Sequence, residues 1–214
     1  MKKFNYHTHT TYCDGKNTPL EIVQKALKLG ISELGFSGHA SMPPLRGGDT
    51  SYCMTVENTV KYREEIFRLK KEFSGKIKIF CGIEKDYYSS DCSDGYDFII
   101  GSVHFIEHNG RFFDVDLDKK TIIEAIEHHW HGSADDYATD YFGLVKSVYE
   151  KTKCSIIGHF DLLTKFNENH DIFDEKSDKY LSAAEDAVKA LSKNNILFEI
   201  NTGAISRGYR TAPY

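Results

Sequence analysis

"KKFNYHTHTTYCDGKNTPLEIVQKALKLG", residues 2–30, decides how the rest of the chain is read. Residues 4–6 are a short aromatic-rich run that reads as a strand, and His7-Thr8-His9 follows at its carboxyl end. Thr18-Pro19 then supplies a helix N-cap and a first-turn proline. Leu20, Ile22, Val23, Ala26 and Leu27 recur at helical spacing until Gly30 stops them. The stretch is therefore one β-strand feeding one α-helix, with two imidazoles on the connection.

The same alternation continues. Residues 33–37 form a second strand; a helix follows Thr55, with Val60, Ile66, Leu69 and Phe73 on its inner face and Gly75 at its end. Further strands are predicted at residues 77–83, 96–103, 155–158 and 196–200, and helices at about 137–152 and at 177–193. Repeated βα units build a parallel sheet, open or closed into a barrel, with chemistry at the carboxyl ends of the strands. Neither a Gly-rich dinucleotide loop nor a phosphate-cradling P-loop follows the first strand. The 214 residues fit a single domain, 1–214.

Composition narrows the function classes. The chain is 40% hydrophobic and 28% charged, with a formal net charge of −5, so no overall positive field invites a nucleic acid. No window approaches the roughly 18 apolar residues of a membrane span, and Lys2-Lys3 leads into no signal-type apolar run, which predicts a cytoplasmic protein. Cys13, Cys53, Cys81, Cys92 and Cys154 are odd in number and never spaced as CxxC, which reads as reduced structural thiols.

Metal-binding residue types gather where the strands end. The first ends in His7 and His9, the second in His39, the third in Glu84, the fourth in His104, and the fifth in His159 and Asp161. In extended backbone His7 and His9 project to the same side, so they can share one ion. Imidazoles suit first-row divalent metals, and a carboxylate such as Glu84 can bridge two ions. Such a cluster points to metal-assisted hydrolysis. His108, beside the turn residues Asn109-Gly110, the crowded His128, His129 and His131, and the isolated His170 read instead as solvated surface or a lid.

The segments "YHTHTTYCDGKNTP", "GFSGHA", "FCGIEKDYY", "DFIIGSVHF", "CSIIGHFDLLTKF" and "FEINTGAISRGYRTAPY" occur in this order along essentially the whole chain. In them the chain resembles the PHP (polymerase and histidinol phosphatase) superfamily, and within it the histidinol-phosphatase branch. The resemblance implies an α/β fold, a distorted (β/α)7 TIM-like barrel of the PHP type, with up to three divalent ions (zinc, iron or manganese). It implies His7, His9 and Glu84 on the first ion, His39 on the second, and Glu84, His104 and His159 on the third. Asp14 stands near the place where many relatives have another histidine, and is expected as an oxygen ligand or as an acceptor behind one. The family's closing Asp-x-His segment does not occur before Tyr214, so the barrel is expected to be incomplete at the C-terminus. From this follow weakened metal loading and an exposed edge that could pair two copies as a homodimer.

By the same resemblance the reaction is hydrolysis of L-histidinol phosphate, a small phosphorylated substrate, to L-histidinol and phosphate. The alternatives are a PHP hydrolase acting on another phosphoester, and a metal-binding remnant without catalysis. A guanidinium fork matches a phosphate edge, so Arg207 and Arg210 of "SRGYR" are substrate-binding candidates, with Lys85 a third. Arg207 would also stabilise the transferring phosphoryl group, and Asp161 is the candidate proton donor, orienter of His159 or helix cap. Glu199, Tyr12 and Tyr87 are candidates for reading the substrate's ammonium and imidazole.

Overall fold

The computed structural model describes residues 2–90 and 94–214, so Cys92 lies outside the described residues. They fall into two compact units, Met1–Pro43 with Thr50–Ile100, and Pro44–Asp49 with Gly101–Tyr214.

The first unit follows the predicted alternation as β1 (Lys3–Asn5), α1 (Pro19–Lys28), β2 (Ile31–Phe36), α2 (Val56–Glu72) and β3 (Lys78–Asp86). β2 pairs in parallel with both β1 and β3, in a register that sets Asn5 beside Leu34 and Phe36 beside Cys81. Thr18 and Glu21 cap α1 reciprocally, satisfying otherwise orphaned N–H groups in its first turn. Helix α2 starts on a Thr55 cap and buries Tyr62, Ile66 and Leu69, which recur at i, i+4 and i+7. Val60, expected on this inner face, is 54% exposed. It sits two positions before Tyr62, on the other side of the helix, and the larger aromatic takes the core. The Tyr62 hydroxyl donates to Gly82 O at 2.8 Å and accepts from Gly38 N at 3.4 Å, tying α2 to the carboxyl ends of two strands. A Cβ on Gly82 would come 2.3 Å from the Phe98 ring, so only glycine admits that close approach.

The second unit takes over within β4 (Phe98–Ser102) and continues through β5 (Phe105–His108), β6 (Arg111–Asp114), α3 (Lys119–His129), α4 (Ala134–Val145), α5 (Val148–Thr152), β7 (Ile156–Ile157), α6 (Asp178–Leu191), β8 (Leu197–Phe198) and α7 (Gly203–Ser206). β7 and β8 are parallel, and Gly158 N reaches Gly101 O at 3.0 Å. The hairpin β5–β6 turns on Asn109-Gly110, both at positive φ (52° and 74°), as a two-residue hairpin loop requires.

Two expectations are corrected here. The single helix at about 137–152 is two, α4 and α5, because the Ser147 hydroxyl turns back to the carbonyls of Gly143 and Leu144 where the chain bends. The histidine-rich tract at 127–136 keeps His128 and His131 exposed, as expected, but it is not a loose tract: α3 runs through His128 and His129, and Trp130 is 3% exposed. The indole Nε1 donates to Asp140 at 2.8 Å and the ring packs on Tyr137 and Phe113, so burial of one large aromatic anchors the tract. Among the described residues no helix is long and apolar enough to cross a membrane.

Candidate metal centre

The first unit assembles its imidazoles through backbone hydrogen bonds between strand ends. β1 stops at Asn5, so His7 and His9 lie just beyond it. The stretch is nevertheless clamped to the end of β2: Thr8 N donates to the Ser37 hydroxyl at 3.1 Å and Ser37 N to Thr8 O at 3.0 Å. The alternation survives, and the two rings stack with centroids 5.1 Å apart and planes 18° apart. At the next pair of strands Glu84 N donates to Gly38 O at 3.1 Å and Ala40 N to Glu84 O at 2.8 Å, which sets His39 directly beside Glu84.

These restraints bring three ring nitrogens to one carboxylate oxygen. From Glu84 Oε2, His39 Nδ1 is 3.1 Å, His7 Nε2 3.2 Å and His9 Nε2 3.3 Å away, and the Glu84 side chain is fully buried. An ionised carboxylate this deep costs several kcal/mol unless positive charge meets it (on the order of 20 in the idealised limit). A protonated imidazole can supply that charge, and in the neutral form the same nitrogens offer lone pairs, so a nitrogen and carboxylate set of this composition also fits divalent cations. His9, His39 and Glu84 each offer one donor atom within 4.8 Å of the others, as a shared ion requires.

Asp14 stands on the other side of the same rings. Its Oδ1 is 2.8 Å from His9 Nδ1 and 3.8 Å from His39 Nε2. Partial burial by itself would raise the Asp14 pKa, but the two imidazoles outweigh it and hold the carboxyl well below its usual range. For His9 the converse applies: burial lowers its pKa, while Asp14, Cys13 and Glu84 together push it well above the usual value. Lys85, next along β3, is 6% exposed.

In the second unit His104 and His159 are each 5% exposed, with ring centroids 5.0 Å apart. His159 N donates to Glu199 Oε2 at 2.8 Å, and the same oxygen accepts from Asn201 Nδ2 at 3.2 Å. Glu199 thus anchors the His159 backbone through one of its carboxylate oxygens. Asp161 begins a short turn, Leu162–Thr164, without a side-chain capping bond, and burial raises its pKa. Arg207, at the end of α7, is exposed, whereas Arg210 turns inward. Arg210 Nη1 donates to Thr164 O at 3.0 Å and Oγ1 at 2.6 Å, with Glu175 3.9 Å away, so one arm of its guanidinium is held by this protein's own groups.

One pair escaped sequence reasoning altogether. The Lys165 side chain is 8% exposed, and its Nζ donates to Asp116 Oδ2 and O, both at 2.9 Å. Burial favours a protonated Asp116, but Lys165, then His104 and His159, overcome it and keep the carboxylate ionised. A lysine inside "DLLTKF" was the available signal, since lysine is almost never buried unpaired. The Tyr12 hydroxyl, a candidate for reading the substrate, donates to Glu65 at 2.7 Å, while the Tyr87 ring lies against Tyr88 at 5.0 Å.

Residues 5–203 match the family model described as the PHP domain. The histidinol-phosphatase of Bacillus subtilis is 27% identical over 237 aligned residues, covering all of this chain and 85% of that protein. The probable histidinol-phosphatase of Deinococcus radiodurans is 30% identical over 169 residues, covering 75% of this chain and 61% of its own. Among solved structures, hisK of Listeria monocytogenes superposes with a TM-score of 0.83 at 21% identity, over 99% of this chain and 87% of that one. That likeness establishes the fold class, the α/β distorted TIM-like barrel of the PHP type. With the family model matched over nearly the whole sequence, the chain belongs to the PHP domain family.

Proposed function

We propose that this chain is a metal-dependent phosphomonoesterase that hydrolyses L-histidinol phosphate to L-histidinol and phosphate. The observation that carries the reading is the convergence of His7, His9 and His39 nitrogens on one oxygen of fully buried Glu84. Support for the substrate comes from relatives that are themselves histidinol-phosphatases.

His7, His9, His39 and Glu84 hold divalent ions in the first unit, with Asp14 as ligand or acceptor, and His104 and His159 are ligands in the second. Zinc, iron or manganese there would supply positive charge that acidifies water and stabilises an anionic transition state. The exposed guanidinium of Arg207 is free of the hydrogen bonds that tie up Arg210, and grips the phosphoryl oxygens bidentately. Asp161, its pKa raised by burial, is the candidate proton donor to the leaving alkoxide. Lys85 adds a cation on β3 beside Glu84.

The test is phosphate release from histidinol phosphate with each metal supplied in turn and then chelated. Metal-dependent turnover that exceeds that of unrelated monoesters is the expected result. Turnover of other phosphoesters alone would replace the substrate, and bound metal without any turnover would leave a binding protein.

A further inference from the structure

Arg207 and Arg210 do not exhaust the segment "TGAISRGYRTAPY", residues 202–214, which folds into a closed loop. Helix α7 ends where Gly208, at a φ of 75°, turns the chain back and Tyr209 N donates to Ala204 O at 2.9 Å. The returning arm is fastened to residues 164–168: Arg210 Nη1 donates to Thr164, Thr211 N and Oγ1 donate to Glu168, and the Tyr209 ring meets Phe166 at 4.9 Å. Past Pro213, Asn201 N donates to Tyr214 O at 2.9 Å and Tyr214 N to Asn201 O at 3.2 Å. Asn201 shares Glu199 Oε2 with the His159 N–H, so Tyr214 is linked through two side chains to the backbone of His159.

The Tyr214 side chain is half-buried, and no hydrogen bond among the described residues engages its hydroxyl. Burial first, then the carboxylates of Asp116, Glu199 and Asp161, push its pKa up, against the guanidinium of Arg207, which pulls it down. The phenol therefore keeps its proton and remains a hydrogen-bond donor. Donors near it are already committed: Asn201 Nδ2 to Glu199, Arg210 Nη1 to Thr164 and Lys165 Nζ to Asp116. A neutral donor set among acids suits a ligand that accepts a hydrogen bond on one edge and carries N–H groups or positive charge on another.

We propose that Tyr214 is a specificity-determining residue whose hydroxyl donates a hydrogen bond to the lone-pair nitrogen of the imidazole in histidinol phosphate. The inference rests on the reading that the chain hydrolyses this ester.

A neutral imidazole carries one lone pair and one N–H, and histidinol adds an ammonium. The phenol O–H complements the lone pair, and the carboxylates beside it suit the other two groups. A simple phosphomonoester presents none of these and gains phosphoryl contacts alone. A hydroxyl placed for a substrate acceptor is left unpaired when a substrate without one binds, which is how a single hydrogen bond becomes discrimination. The loop is also ordered in advance. Pro213 fixes its own φ just before Tyr214, and the bonds to Thr164, Glu168 and Asn201 hold the segment, so little ordering entropy opposes the contact.

Steady-state phosphate release from histidinol phosphate and from p-nitrophenyl phosphate, with metal supplied, tests the proposal in the native chain, Tyr214→Phe and Tyr214→Leu. Expected in both variants is a loss of about 10-fold in kcat/KM for histidinol phosphate, the size of one hydrogen bond. Turnover of p-nitrophenyl phosphate, metal content and urea unfolding should stay at native values, which separates a substrate contact from a structural role. Equal fold losses on the two esters, or a native-like preference in Tyr214→Phe, overturns the hydroxyl contact and leaves the phosphatase reading standing. A native chain that releases phosphate from p-nitrophenyl phosphate alone, or from neither ester, overturns the substrate reading and this inference with it.

Discussion

The two units carry histidines of the same kind in opposite electrostatic settings. In the first, the buried carboxylate Glu84 is ringed by three imidazole nitrogens at 3.1–3.3 Å. In the second, Asp116 is one carboxylate that feels His104 and His159, and a lysine 2.9 Å away pairs with it. Glu199 there is spent on the His159 backbone, and Glu175 lies 3.9 Å from Arg210. The contrast teaches that proximity of histidine and carboxylate is not by itself a metal signature. What distinguishes the Glu84 cluster is that it gathers several imidazole nitrogens around one buried carboxylate oxygen, whereas Asp116 in the second unit is balanced by a lysine.

The sharpest way to break the contrast is Glu84→Gln, which keeps the shape and removes the charge. Metal content and histidinol phosphate turnover should both fall by more than about 100-fold, beyond the range for loss of an outer-shell partner. Full metal stoichiometry in this variant would dissolve the assigned centre.

Lys165→Met should act on folding instead. Stranding Asp116 costs about 3 kcal/mol, at the lower end for a broken buried pair because the Asp116 side chain is 28% exposed. Urea unfolding reads this directly, and the double variant with Asp116→Asn should recover most of it. A single variant as stable as the native chain would show that the pair contributes nothing.

The two arginines give a smaller and more pointed comparison. Arg207→Ala should raise KM for histidinol phosphate about 10-fold with unfolding unchanged, as expected for one lost charge-assisted contact at an exposed group. Arg210→Ala should lower stability by about 1–2 kcal/mol through its bonds to Thr164. An exchange of these phenotypes would exchange the roles.

The smallest effect belongs to Asp114, whose pKa is pushed up to about 6, chiefly by burial. Because its folded-state pKa lies above the unfolded value, the native state holds the proton more tightly, so its contribution to stability is full below about pH 4 and declines as pH rises to about 6. Partial exposure limits the loss to about 1 kcal/mol. Asp114→Asn should flatten that part of the stability profile, and an unchanged slope would assign the titration elsewhere.

The alternation His7-x-His9 was readable as two rings on one side because extended backbone has a period of two, and it held although β1 ends earlier, at Asn5. Thr18-Pro19 and Thr55 announced their helices because capping chemistry is local. The β5–β6 hairpin was missed although Asn109-Gly110 is a strong two-residue turn signal, because the flanking residues were read as the end of one strand and a loop. Helix α3 was missed for a different reason: its histidine-rich end looks solvated until Trp130 is seen buried on Tyr137.

The sequence by itself determined the βα order, the helix starts and the identity of the donor residues, since each depends on neighbours a few positions away. Only the tertiary structure decided which polar groups remain available for chemistry. Strand pairing between Thr8 and Ser37, and between Gly38 and Glu84, converts scattered histidines into a shell around one oxygen. Bonds spanning 40 and 46 residues give Glu199 and Arg210 partners within the fold that the sequence did not announce. The physical reason is that a charged side chain serves whichever partner the fold brings within about 3 Å, and that partner is seldom its neighbour in sequence.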